Sequence, residues 1–189
     1  QEALYGHAWT LFEQKKFSQA AIAFERFTTS NPDKTLSLEA SLRKADCYFF
    51  LGQYDKSTLL YEELATSKSE NRNVEYAAFQ IAMSYIQRGE TDRGIDQLRV
   101  FLTVHPGSIY AEVVQFNIGW TYFSKEQVSL AIAELRFVQQ RYPESQLMPR
   151  VLFNTGDAFF NLKNYDSSRV YYQRVITAYP SSPLVTDAL

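Results

Sequence analysis

The sequence predicts an all-α protein, a right-handed α-solenoid of five helix pairs followed by the opening of a sixth. Three observations predict it. Pro106, Pro143 and Pro180 stand 37 residues apart, and Pro32 lies two such steps before Pro106, with Ser69 the one place that lacks the proline. A fixed period in the range of about 20–50 residues marks an array of stacked units, none of which can bury its apolar face alone. Two columns at this period hold only small residues: Ala8, Ala45, Ala82, Gly119, Gly156, and Ala20, Ser57, Gly94, Ala131, Ser168. Small side chains at fixed places on successive helices allow close approach. Within a unit, Leu4, Ala8 and Leu11 share one helical face, and Phe17, Ala20, Phe24 and Phe27 share another. That is the 3.6-residue period of two amphipathic helices.

The units run over residues 1–32, 34–69, 71–106, 108–143 and 145–180, with 182–189 opening a truncated sixth. Three columns of large residues accompany the small ones: Leu11, Tyr48, Tyr85, Tyr122, Phe159; Phe24, Tyr61, Leu98, Leu135, Tyr172; and Phe27, Leu64, Phe101, Val138, Val175. Each unit has room for two helices of about 12–15 residues. The turn inside a pair falls at Lys15-Lys16, Gly52-Gln53, Gly89-Glu90, Glu126-Gln127 and Lys163-Asn164, and two of the five carry the helix-stopping Gly. Between units, Ser108, Ser145 and Ser182 follow a proline by two residues, and Asn71 fills the same column. These side chains are expected to cap the next helix, each worth about 1 kcal/mol. Pro183 is expected at a first helical position and Pro149 in a first turn. The chain opens inside a helix pattern and closes inside another, so it reads as an interior piece of a longer array. No linker or domain boundary is visible.

Composition narrows the function. Hydrophobic residues make up 46% of the 189, as in a folded soluble domain, and the net charge of −2 argues against a nucleic-acid surface. No window approaches the roughly 18 apolar residues of a membrane span. Cys47 is the single cysteine, so no intramolecular disulfide can form. The chain shows no leader, which decides nothing about export.

These columns resemble the tetratricopeptide repeat. Leu4, Ala8, Leu11, Phe17, Ala20, Phe24 and Pro32 fit that family's pattern, while Phe27 stands where the family prefers Ala. The resemblance covers essentially the whole chain. A narrower likeness lies in the joints Tyr142-Pro143-Glu144-Ser145 and Tyr179-Pro180-Ser181-Ser182, which resemble those of bacterial envelope proteins of this class: outer-membrane-assembly lipoproteins and the periplasmic partner of the Tol-Pal system. It implies a periplasmic or outer-membrane-associated scaffold, with a cytoplasmic location as the alternative. The joints Asn31-Pro32-Asp33-Lys34 and Lys68-Ser69 depart from the pattern.

In this fold the first helices line a concave groove, a common partner-binding face. Its columns are Tyr5, Leu42, Phe79, Phe116, Phe153; Trp9, Asp46, Met83, Trp120, Asp157; and Phe12, Phe49, Ile86, Phe123, Phe160. The first and third are apolar in every unit, which favours packing. The middle column does not repeat. There Trp9 and Trp120 suit an apolar partner, and Asp46 and Asp157 a cation or a backbone amide, so packing and binding stand level. Some relatives clamp a terminal carboxylate with Lys, Arg and Asn. Those places hold Tyr5, Trp9, Arg43, Tyr76 and Gln80 in the first three units and Phe79, Met83, Asn117, Arg150 and Asn154 in the last three. The match is partial, so a helix or an extended apolar segment fits the groove better.

Catalysis finds little support. His7 and His105 fall in different columns, and neither pairs with Cys47 at an informative spacing. Cys47 shares a column with Thr10, Ser84, Thr121 and Ala158 and reads as a packing residue. No zinc spacing or phosphate-cradling Gly loop is present, and Asn154-Thr155-Gly156-Asp157 falls inside a helix column. The expectation is a scaffold without enzyme activity or cofactor that binds another protein; the alternative is a self-associating segment whose groove is filled by its own chain or a copy.

Overall fold

The computed structural model describes residues 2–30, 34–66 and 72–189, with the side chains of all but 34 and 35. Pro32, Ser69 and Asn71, and the joints around them, lie outside the described residues. All regular structure in those residues is helical. The pairs are α1 (Glu2–Glu13) with α2 (Phe17–Ser30), α3 (Lys34–Phe50) with α4 (Tyr54–Ala65), α5 (Arg72–Gln87) with α6 (Thr91–Val104), α7 (Ala111–Ser124) with α8 (Val128–Arg141), and α9 (Met148–Asn161) with α10 (Tyr165–Ala178); α11 (Val185–Ala188) follows.

The chain gathers into two compact units, Gln1–Phe101 and Leu102–Leu189. In the first, each helix from α1 to α4 packs on the next, so a second helix also covers the first helix of the following pair. In the second, α7 to α11 follow the same rule. First helices are neighbours within a unit: α3 touches α5, and α7 touches α9.

Both small-residue columns are buried throughout. Gly94 shows why they must be small. A β-carbon there would lie 2.4 Å from Ile86 Cγ1 and 2.9 Å from the Ala82 carbonyl oxygen, so α5 and α6 meet nearly backbone to backbone. At Gly156 a β-carbon would lie 2.6 Å from the Tyr172 ring. Around these contacts the large columns fill the core. Phe24 and Phe27 pack with Ala8, Ala20 and Cys47; Tyr61 and Leu64 with Leu42 and Ala45; Leu135, Val138 and Val175 with Phe116 and Val151. Each such large side chain contributes about 1.5–3 kcal/mol when fully buried.

All five turns inside the pairs close in the same way. Lys15, Gly52, Gly89, Glu126 and Lys163 take positive φ, between 57° and 85°. The following amide then reaches back over five residues: Lys16 to Leu11, Gln53 to Tyr48, Glu90 to Tyr85, Gln127 to Tyr122 and Asn164 to Phe159, each at 2.9 Å. This is the Schellman closure, which satisfies carbonyls left open at a helix end. Three turns use Lys or Glu where the backbone favours Gly.

The joints differ from expectation in detail. Ser108, Ser145 and Ser182 do accept backbone amides, from Tyr110, Leu147 and Leu184 at 3.0–3.3 Å. The accepting turn precedes the helix, however, and the N-cap residues Tyr110, Leu147 and Leu184 make no side-chain cap bond. A backbone turn, closed by Ala111 to Ser108, Met148 to Ser145 and Val185 to Ser182, leads each helix in. Pro149 lies in the first turn of α9, whereas Pro183 falls in the turn ahead of α11 rather than at its first position.

Replacing Lys15, Glu126 or Lys163 by Gly relieves a left-handed backbone, so each variant should gain up to about 1 kcal/mol in chemical denaturation. Gly94→Ala should lose about 1–3 kcal/mol through overpacking. A neutral Gly94→Ala would show that the α5–α6 contact yields.

Candidate functional site

In the first unit, α1 presents Tyr5, Trp9 and Phe12 one helical turn apart. Trp9 stacks between the other two, with ring centroids 6.4 Å from Tyr5 and 5.7 Å from Phe12. All three are half-buried. The aromatic chain continues from Phe12 to Phe17 and Phe50, and Phe49 meets Phe50 and Tyr54. Phe79 is buried and Met83 half-buried on α5.

Asp46 is buried, at 2% exposure, and its carboxylate is fully engaged. Oδ1 accepts from the phenols of Tyr61 at 2.6 Å and Tyr76 at 3.1 Å, and Oδ2 from Arg43 Nη1 at 2.7 Å. Gln80 donates to the Tyr76 hydroxyl at 2.6 Å. The Arg43 guanidinium lies 5.5 Å from the Trp9 ring and 5.9 Å from the Tyr76 ring, and its buried Nε has no acceptor among the described residues. Burial raises the Asp46 carboxyl above its ordinary value, against the opposing Tyr61 bond and Arg43 charge. Burial and then Glu39 push the Tyr5 phenol up to about 12.

In the second unit, α7 buries Phe116 and leaves Trp120 37% exposed, stacked 5.6 Å from Phe123. On α9, Phe153 packs 5.5 Å from Tyr172, and Asp157 accepts from the Tyr172 hydroxyl at 2.6 Å. Phe160 is 54% exposed beside Tyr165. Arg150 lies 5.2 Å over the Phe116 ring. Asn154, four residues on along the same face of α9, is only 5% exposed, and its buried Nδ2 has no acceptor among the described residues. Asn117 satisfies its own amide on the Val113 carbonyl.

The middle column is thus coupled to the second helix, a relation the column reading missed. Asp46 and Asp157 each receive a phenol 15 residues on, from Tyr61 and Tyr172. Where the first helix carries Trp9, Met83 or Trp120, the corresponding second-helix residue is Phe24, Leu98 or Leu135. The signal was in the sequence, as a correlation between two columns rather than within one.

The one cysteine is used in packing. Burial, and then the Asp46 charge, push the Cys47 thiol up to about 12, so it is a poor nucleophile. Among the described residues no three His, Cys, Asp or Glu side chains gather as a metal site, and no helix is long and apolar enough to cross a membrane.

Antiparallel helix pairs with small residues at the crossing, Schellman turns and an aromatic first-helix face define a helical repeat scaffold. The chain belongs to the tetratricopeptide repeat family, whose repeat matches residues 2–34, 76–108 and 150–182, more than half of its length. It is similar to the C-terminal part of a TPR repeat-containing protein from Cytophaga hutchinsonii, at 18% identity and TM-score 0.70 over 93% of this chain and 65% of that one. It is similar to the TPR-like repeats of a putative kinesin light chain from Podosopora anserina, at 15% identity and TM-score 0.73 over 96% of both chains. It is also similar to the Rap conjugation gene regulator of plasmid pLS20, solved with a Phr peptide, at 15% identity and TM-score 0.71 over 92% of this chain and 52% of that one. The chain therefore spans less than two thirds of the first and about half of the third. At these identities the likeness is one of fold. No curated protein matches the chain significantly.

Tyr61→Phe removes a donor from the buried Asp46 and should cost about 1–3 kcal/mol in thermal or urea unfolding. Asp157 tests the sign of the pH effect. Burial holds its carboxyl above the ordinary value, so the folded chain binds the proton more tightly than the unfolded one. Stability from this group is therefore greatest with the proton on and declines as pH rises through the raised value. Asp157→Asn keeps an acceptor for Tyr172 without the charge. Its stability relative to the parent should be more favourable near pH 7 than in acid solution, where the parent carboxyl is protonated. The opposite trend would make the ionised carboxylate stabilising.

Proposed function

We propose that this chain is a non-enzymatic scaffold that holds another protein on its first-helix face, receiving a helix or an extended apolar segment. One observation carries the reading: in the second unit, the Trp120–Phe123 stack, with Trp120 exposed, lies on the first helix α7, which touches the next first helix α9. Trp dominates binding energy at interfaces because its large ring loses water on contact. The plasmid regulator similar to this chain was solved with a peptide, which supports peptide binding as a use of this fold. We extend the proposal to bacterial envelope assembly, with a periplasmic or outer-membrane-associated location, on the Tyr-Pro-x-Ser joints alone.

A second reading, self-association, has its own observation. Ala3, His7 and Thr10 of α1 are exposed, while their equivalents Ala40 and Cys47 on α3, Ala77, Ile81 and Ser84 on α5, and Val151, Thr155 and Ala158 on α9 are buried. Leu4 and Ile22 flank this open face. Sedimentation over a range of concentrations tests it: a dimer lost on Ile22→Glu supports the reading, and a monomer throughout removes it.

The binding proposal is tested by capture from a bacterial envelope extract, beside a Trp9→Ala/Trp120→Ala variant of unchanged helicity. The captured protein, once purified, should bind the Trp120→Ala chain at least tenfold more weakly. Equal affinity for parent and variants would return these residues to packing.

A further inference from the structure

The second-helix face of the second unit carries two cations that no acid balances. Arg136 on α8 lies 5.3 Å from the Phe159 ring, and its Nε donates to the Tyr171 hydroxyl at 3.4 Å. Arg174 on α10 lies 5.3 Å over the Tyr171 ring, and its Nη1 donates to Gln139 Oε1 of α8 at 3.3 Å. Two guanidinium groups from different helices are thus fixed about one phenol ring. Among the described residues neither forms an ion pair, and Nη1 and Nη2 of Arg136 and Nη2 of Arg174 have no acceptor. The acids of the surrounding helices are engaged elsewhere: Glu134 with Gln115, Asp157 with Tyr172, and Asp166 with Arg169.

Packing alone does not demand this arrangement. Three periods earlier the corresponding residues are Glu25 and Glu63, and Glu25 pairs with Lys44. The same place in the repeat therefore accepts either sign. Like charges held close together repel, and stacking on aromatic rings offsets that only in part. What completes the arrangement is an anion.

We propose that this face binds the carboxylates of an acidic protein segment. The guanidinium fork matches a carboxylate two bonds at a time. Phe137, next to Arg136 and 48% exposed, adds an apolar anchor, and Arg, Tyr and Phe together have the composition of protein interfaces. A lipid surface or a nucleic acid fits less well. Neither α8 nor α10 contains a lysine, and the net charge of −2 opposes an extended polyanion. A short acidic segment senses chiefly the charges within about 8 Å. The site is separate from the first-helix face and stands whether or not that face binds a partner.

The test is a titration of the whole 189-residue chain, followed by NMR, with a blocked helical peptide carrying two glutamates four residues apart beside a leucine. Its glutamine twin and inorganic phosphate serve as further probes. The acidic peptide should shift the Nε–H signals of Arg136 and Arg174, and the dissociation constant should rise with salt. Binding should weaken at least tenfold in Arg136→Gln/Arg174→Gln and with the glutamine twin. Should the Gln variant lose helicity, Arg136→Lys/Arg174→Lys removes the fork while keeping the charge, and at least threefold weakening is expected. The proposal is overturned by no binding to the parent at millimolar peptide, by unchanged affinity in a folded variant, or by equal affinity for the glutamine twin. It is also overturned if phosphate displaces the peptide at equal concentration.

Discussion

The close approach of two helices at paired small residues is the constraint on which the rest of this structure depends. Where Ala82 and Gly94 let α5 and α6 come close, the Ile86 side chain and the Ala82 carbonyl already fill the space that a β-carbon on Gly94 would take, so the crossing has no room for an added atom. With that point set, Phe24, Tyr61, Leu98 and Leu135 can reach across to the first helix and be buried. The rings on the first helix meet them there: Tyr5 packs on Phe24 and Phe27, Phe12 on Phe24, and Phe153 on Tyr172. How closely a pair comes together therefore sets where these rings meet.

Each pair also makes a choice at one position. The first helix offers either a large apolar side chain, as at Trp9, Met83 and Trp120, or the short acid of Asp46 and Asp157. A carboxylate leaves a different volume and needs donors, and the Tyr61 and Tyr172 phenols supply them while keeping most of the ring in the core. Burial raises both carboxyls, which suits a structural group more than one poised for chemistry.

The helix pairs, their small-residue contacts and their turns were legible because each is a requirement that every unit must meet, and repetition makes such requirements visible. The site was legible only in part. Phe79 and Phe116 fall on a groove column by spacing, where an apolar residue in every unit favoured packing, and both are buried. For Asp46, packing and binding stood level by sequence; the structure buries it, with two of its three donors 15 and 30 residues away on other helices, beyond any single-helix pattern. The unpaired amide of Asn154 depends on which neighbours fail to reach it, and a sequence does not encode that locally. The serine turns before α7, α9 and α11 were misplaced by a few residues because a side-chain acceptor serves a turn and a helix start equally well.

The coupling between Asp and Tyr bears on how such arrays can be rearranged during evolution. A crossover at a joint exchanges a whole pair and keeps Asp46 with Tyr61, or Met83 with Leu98. A crossover at a turn inside a pair would set Asp46 against Leu98 and bury a carboxylate without its phenol, or place Met83 against a Tyr61 hydroxyl without its acceptor. The heritable module is therefore the pair rather than the helix, and recombination breakpoints that survive selection should fall in the joints.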